Sequence, residues 1–343
     1  MTDNLFLNTI AGQKQSRTPI WVMRQAGRYL EEYRAVRASE PDFISFCLNP
    51  KKAVEVTLQP IDRFQFDAAI MFSDILMVPW ALDRNVRFKT GVGPLLDPLA
   101  QPGNLDSKLL DHVEDRLAPV GKAIRLCRDT LPAHKALIGF AGAPWTIITY
   151  MAEGGSSRDF PTARQWAWSD AKGFDQLLDQ ITHATADFLT LQAKNGADAL
   201  MLFDSWASAV PASQRRRIVI EPAQKIISII RSRGVTQPII GFPKGISEGL
   251  IAYANETDID AIGLDHNLDP AWAGAALPKS LPLQGNLDPL SLIDGGDAMF
   301  RAIDDVMNAF HDRPHIFNLG HGITPPTPVA NVQAMLDYVR GWK

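Results

Sequence analysis

Short apolar runs recur along the chain. Each is followed by a polar or Gly/Pro-rich turn, then by a segment whose apolar residues fall three or four apart. Eight such runs stand out: residues 19–23 (PIWVM), 68–72 (AAIMF), 136–140 (ALIGF), 199–203 (ALMLF), 238–242 (PIIGF), 261–264 (AIGL), 281–284 (LPLQ) and 315–319 (HIFNL). Their hydrophobicity is nearly continuous rather than alternating, as expected of strands covered on both faces in a parallel sheet. The run 281–284 is the weakest, because Pro282 has no N–H to give and belongs at a strand end. Between the runs, Leu177, Ile181, Ala184, Phe188 and Leu191 form a helical stripe that Asn195-Gly196 would stop. Pro222 suits the first turn of a helix carrying Ile226, Ile229 and Ile230, with Gly234 as terminator. Thr327-Pro328 would open a last helix with Val332, Met335, Leu336 and Val339 on one face. Eight buried strands separated by helices predict a single (β/α)8 TIM barrel over residues 1–343, with an open doubly wound sheet as the alternative. The length beyond a minimal barrel of about 250 residues falls after the second and third runs. Long loops there should wall a cleft at the C-terminal face of the strands.

Composition narrows the function. The 343 residues carry a net charge of −4 and are 46% hydrophobic and 21% charged, which suits a soluble globular protein and argues against nucleic-acid coating or a polybasic membrane role. No apolar run approaches the roughly 20 residues that span a bilayer. The opening MTDNLFLNTIAGQ has no basic segment before its apolar patch and does not read as a secretion signal. Cys47 and Cys127 stand alone, too few for a disulfide scaffold or a cysteine-rich zinc site. A cytoplasmic protein is expected. No G-x-G-x-x-G follows a strand and no phosphate-binding loop is present, so nucleotide cofactors have no support. His315 and His321 lack partners at metal-ligand spacing.

In a barrel, chemistry belongs to the loops after the strands. The first run leads into Arg24-Gln25-Ala26-Gly27-Arg28, with Arg34 and Arg37 close behind. Arginine grips carboxylate or phosphate through a rigid fork and keeps its charge at any working pH, so this stretch reads as an anion funnel. The plain alternative is a solvated basic helix start paired with Glu31, Glu32 and Glu40. Asp74 ends an apolar stretch. It would either cap a helix or face the cleft, where a carboxylate offers about four acceptor sites to ligand N–H groups. His321, between two glycines, is either a ligand donor or a core histidine satisfied by backbone. Tyr150 is either a pocket hydroxyl or a half-buried ring. Ser205 has no nucleophile elbow around it. Lys244 at a strand end is a minor candidate for a pyridoxal lysine, without the phosphate loop that role requires.

Four segments then resemble one family. PIWVMRQAGRYLEEYRAVRA, VTLQPIDRFQFDAAIMFSDIL, GFAGAPWTIITYMAEG and FNLGHGITPPTP match the uroporphyrinogen decarboxylases in order, from about residue 4 to the C-terminus. The resemblance implies a cofactor-free, metal-free homodimeric barrel that converts the four acetate arms of uroporphyrinogen III to methyl groups, giving coproporphyrinogen III for haem and other tetrapyrroles. It implies Asp74, Tyr150 and Arg24 as catalytic residues. It places Arg24, Gln25, Ala26, Gly27, Arg28, Arg37, Asp74, Phe140, Tyr150, Phe203, Ser205 and His321 at the substrate. One departure stands out: the family often has Glu-Ser-His where this chain has Asp204-Ser205-Trp206, which puts Trp206 in doubt as a ligand contact. Substrate polarity agrees, since eight carboxylates need a cationic mouth and inward pyrrole N–H groups suit one carboxylate. Two other readings are a zinc-dependent methyltransferase of the same superfamily, for which no His/Cys cluster is present, and a non-catalytic tetrapyrrole-binding protein.

Overall fold

The computed structural model describes residues 4–89, 91–103 and 105–342. In chain order the strands are β1 (Ala68–Ile70), a hairpin of β2 (Arg87–Lys89) and β3 (Gly93–Leu95), then β4 (Ala136–Gly142), β5 (Ala199–Asp204), β6 (Ile239–Pro243), β7 (Ala261–Gly263), β8 (Leu283–Gln284) and β9 (His315–Ile316). Seven of them make one curled sheet in the order β1-β4-β5-β6-β7-β8-β9, every neighbouring pair parallel. Each residue of these seven strands is buried, which is why their runs show no polar alternation. Pro282 lies just before β8, where its carbonyl accepts the Ile262 N–H at 3.1 Å.

The first run is shorter than its sequence suggests. Ile20 alone forms a parallel bridge, to Phe317. On one side the Phe317 N–H donates to Pro19 O at 2.9 Å, and on the other the Asp67 N–H donates to Ile20 O at 2.9 Å. The Ile20 N–H goes instead to the Asp67 carboxylate at 2.8 Å, itself clamped by Arg17 at 2.9 and 2.6 Å. A side chain has taken the donor that a strand carbonyl would need, and the ladder stops there.

Helices cover the sheet and share one hydrophobic core with it. The stripe of Leu177, Ile181, Ala184 and Phe188 is buried on the helix Ala171–Lys194, which ends at Asn195 before Gly196 at φ +107. The last helix, Val329–Gly341, buries Val332, Met335, Leu336 and Val339. Pro222 does fall in the first turn of its helix, but that helix has no free start. The helix Glu221–Ser232 continues a π-turn, Arg216–Ile220, and an earlier turn, Ala212–Arg215. The wide turn immediately precedes the proline, whose missing N–H and bulky ring would otherwise disrupt a regular helix. The hairpin β2–β3 lies in the long connection after β1, and Leu95 bridges to Gly155 beyond β4. Among the described residues no helix is long and apolar enough to cross a membrane.

Candidate active site

The Arg-Gln-Ala-Gly-Arg segment is a loop that precedes the helix Glu31–Ala38. Arg24 sits in the left-handed region at φ 62, a conformation that a non-glycine residue holds only when its surroundings impose it. Gln25 supplies much of that constraint. It is fully buried, donates to Ala68 O at 3.2 Å and accepts the Val22 N–H at 3.4 Å, while its carbonyl accepts the Tyr29 hydroxyl at 2.9 Å. Its side chain therefore holds the loop to β1 instead of facing solvent. At Gly27 a Cβ would fall 2.7 Å from Arg24 O, so the turn has room for glycine alone. Ala26 is half-buried and packs on the core.

The pinned loop leaves Arg24 and Arg28 exposed. Among the described residues neither they nor Arg34 and Arg37 join any ion pair. Glu32 is taken by Arg63 at 2.7 Å, and the Glu40 carboxylate accepts from Asn49 at 3.1 Å. Arg37 donates to the Glu40 backbone carbonyl at 2.9 Å, and Arg34 to the carbonyls of Arg28 and Tyr29 at 2.8 and 3.2 Å. The acidic neighbours in sequence thus do not neutralise the arginines in space.

Asp74 follows β1 and is half-buried. Its Oδ1 accepts the Leu76 N–H at 2.8 Å, an Asx turn rather than a helix cap, since the helix Met77–Ala81 starts from Leu76 without a side-chain cap. Oδ2 accepts no hydrogen bond among the described residues. Burial pushes the carboxyl up to about 6, while the Leu76 N–H and the Arg24 charge pull it down. Tyr150, on the helix Pro144–Glu153, is buried close enough to feel both Asp74 and Arg24. Desolvation raises its hydroxyl above the usual tyrosine value against the pull of Trp206 and Ser156, so it stays neutral and able to donate. Phe140 and Phe203 meet edge-on at 5.5 Å, and Phe203 meets Phe242 at 5.7 Å, forming an apolar wall across β4, β5 and β6.

Trp206 lies against Tyr150 at 6.4 Å and Phe160 at 4.9 Å. It is fixed by the Trp145 indole N–H donating to its carbonyl at 2.8 Å and by its own N–H donating to Thr146 Oγ1 at 3.1 Å. Thr146 in turn donates to Asp204 at 2.6 Å, a carboxyl that burial pushes up to about 7. Sequence reasoning missed this chain. Its one legible sign was Thr146 and Tyr150 at i and i+4 on a single helix face. Ser205 is half-buried beside it. His321 is half-buried and is pushed down to about 3, first by desolvation and then by the charges of Arg24, Lys244 and His266. It is neutral at working pH, and no backbone group satisfies it among the described residues. His315 is a core histidine, 2.7 Å from Gly285 O.

Of the nine buried side-chain polar atoms without a partner among the described residues, five lie at these same strand ends: Ser73 Oγ, Trp206 Nε1, His266 Nδ1, Asn286 Oδ1 and Asn318 Nδ2. Such atoms are costly in a finished interior, and they mark where the C-terminal face is organised for something other than self-satisfaction. Among the described residues no three His, Cys, Asp or Glu side chains are grouped so as to hold a metal ion. Cys47 and Cys127 are buried and unpaired.

Comparison with known proteins agrees over the whole chain. The family described as uroporphyrinogen decarboxylase (URO-D) matches residues 1–342. The uroporphyrinogen decarboxylase of Sphingopyxis alaskensis is 49% identical over 335 residues, covering 98% of this chain and 97% of that protein. That of Maricaulis maris is 47% identical over 340 residues, covering 99% and 98%. Among solved structures, a methyltransferase from Methanosarcina mazei superposes with a TM-score of 0.82 at 17% identity, covering 99% of this chain and 98% of that one. At that identity the likeness speaks for the fold alone.

Proposed function

The chain belongs to the uroporphyrinogen decarboxylase family and is a carboxy-lyase of tetrapyrrole biosynthesis, and on that premise we propose how its strand-end residues bind and decarboxylate uroporphyrinogen. The observation that carries the proposal is the pairing of unneutralised arginines with one half-buried carboxylate that keeps an oxygen free. Arg24, Arg28 and Arg37 take carboxylates of the substrate. Asp74 Oδ2 takes inward pyrrole N–H groups. Phe140 and Phe203 pack near the ring, Tyr150, Ser205 and His321 complete the pocket, and Gln25, Ala26 and Gly27 shape the loop that presents the arginines.

The chemistry follows from the pyrrole. Protonation of the α-carbon beside the acetate-bearing carbon gives a ring cation delocalised onto nitrogen. The acetate C–C bond then breaks, CO2 leaves, and the electron pair neutralises the cation as an exocyclic methylene. A proton to that methylene and loss of the ring proton leave a methyl group. The pyrrole is its own electron sink, so no organic cofactor is required. The protein must stabilise the cation. An ionised Asp74 against the ring N–H groups does so as a fixed charge in a desolvated place. Tyr150 and Arg24 set the field around it.

We further propose that residues 1–343 form one closed (β/α)8 barrel, with residues 19–23 as the eighth stave. Support comes from the Phe317 N–H donating to Pro19 O and the Asp67 N–H donating to Ile20 O. A homodimer follows from the family resemblance and a cytoplasmic setting from the two free cysteines. The decisive experiment is anaerobic incubation with uroporphyrinogen III and chromatography of the oxidised products. Stepwise loss from eight to four carboxylates is expected; binding without loss would move the protein to the non-catalytic reading.

A further inference from the structure

Lys244 and His266 have no part in the site as described, yet the fold builds them into it. The Lys244 N–H donates to Asp204 O at 3.1 Å, and its carbonyl accepts the Ser208 N–H at 3.1 Å. The next residue, Gly245, donates its N–H to Asp265 Oδ2 at 2.8 Å. Asp265 joins no ion pair among the described residues, and its other oxygen accepts the Asn267 N–H at 3.0 Å. His266 lies directly against the loop after β9: a Cβ on Gly320 would fall 2.1 Å from its backbone nitrogen. A Cβ on Gly322 would fall 2.4 Å from Arg24 Cδ. The two glycines thus seat His321 between His266 and Arg24. Among the described residues the buried His266 Nδ1 has no partner and Lys244 joins no ion pair. Backbone contacts thus link the ends of β6, β7 and β9 through Gly245, Asp265, His266 and Gly320, and the charges of Lys244, His266 and Arg24 act together on His321.

We propose that Lys244 and His266, with His321 linking them to the arginine loop, form a second carboxylate-binding subsite for an acidic arm of the substrate. It rests on the decarboxylase reading and extends it. The arginine loop leaves the sheet between β9 and β1, whereas Lys244 and His266 follow β6 and β7, in the middle of the strand order. A macrocycle that carries carboxylates all round its rim cannot be held by cations on one side. An unpaired lysine beside two imidazoles supplies the missing donors.

The test uses Lys244→Met and Lys244→Arg in the full-length protein, with steady-state kinetics on uroporphyrinogen III and equilibrium titration by tryptophan fluorescence, all anaerobic. Loss of a charge-assisted contact predicts about a tenfold rise in KM and Kd for Lys244→Met, with kcat within about threefold and most of the affinity restored by Lys244→Arg. Titration of coproporphyrinogen III, which keeps only propionates, separates the sources: equal weakening assigns the subsite to a propionate, weakening with uroporphyrinogen alone to an acetate. Unchanged affinity for both ligands in Lys244→Met overturns the subsite while leaving the decarboxylase reading intact. If the unmodified protein binds but releases no CO2, that reading fails instead, and the Kd comparison still decides the subsite.

Discussion

Replacing Asp74 with asparagine separates the cost of the site from its use. The amide is nearly isosteric and can still accept the Leu76 N–H, so the 2.8 Å bond that shapes the turn survives. What is lost is a charge that folding disfavours. Burial lifts the carboxyl from 3.8 to about 6, roughly 2 pKa units, or about 3 kcal/mol against the ionised form. Because Asp74 is only half-buried, solvent screens part of this, and about 1–2 kcal/mol is the working figure. The sign follows from linkage. With the folded pKa raised above the unfolded one, the penalty is absent below pH 3.8, grows as pH rises and is complete above about 6. Asp74→Asn should therefore be more stable than the parent at pH 8 and indistinguishable from it near pH 4, measured by urea denaturation at both values. Turnover should fall by about 10²-fold or more with binding retained, as for loss of a preorganised charge. The parent's kcat/KM should also fall as pH drops through about 6. A variant less stable at pH 8, or one with near-parental turnover, would refute the reasoning.

Other perturbations test other parts of the site. Arg28→Ala, at an exposed arginine with no ion pair among the described residues, should raise KM about tenfold while unfolding shifts by less than about 0.5 kcal/mol; unchanged KM returns Arg28 to the solvated surface. Tyr150→Phe keeps the ring against Trp206 and loses a neutral donor, so kcat should drop less than in Asp74→Asn, and an equal drop in the same assay would make the hydroxyl an essential participant. Gly320→Ala would push a Cβ into the backbone of His266 at 2.1 Å. Urea titration should show a loss of about 1–3 kcal/mol, together with weaker substrate binding.

The strands were legible where both faces are covered. ALIGF and ALMLF announce β4 and β5 because every residue in both is buried. PIWVM looks the same, yet Ile20 alone bridges, because the Asp67 carboxylate, held by Arg17 50 positions away, takes its N–H. No local pattern carries that contact. In the site, Arg24 and Asp74 were legible as charged residues closing apolar runs. Gln25 was placed at the substrate only by resemblance, as part of the binding loop, and its side chain is spent on Ala68 and Val22. Trp206 read as doubtful because the expected histidine was missing, and its packing on Tyr150 and Phe160 depends on loops from two strands meeting. The Asp204–Thr146 bond spans 58 positions and was invisible for the same reason.

With Asp74 facing the inner nitrogens as proposed, the electrostatics of the site would also select the oxidation state of the tetrapyrrole. Burial disfavours the Asp74 carboxylate, one of whose oxygens accepts no hydrogen bond among the described residues, while the charges of Arg24, Lys244 and His266 act together on His321. A porphyrinogen relieves both stresses at once, since its four inner N–H groups face the carboxylate and its acidic arms face the cations. An oxidised porphyrin of the same rim presents two inner N–H groups and two bare nitrogens, whose lone pairs meet those of Asp74. It is also held flat by conjugation and cannot tilt all its N–H groups to one side. Repulsion against the wrong ligand is as much a source of specificity as attraction to the right one. Uroporphyrin should bind at least about tenfold more weakly than uroporphyrinogen by fluorescence titration, and Asp74→Asn, whose amide can donate to a bare nitrogen, should narrow that gap. Equal binding of the two rings by the unmodified protein would mean that the carboxyl does not face the inner nitrogens.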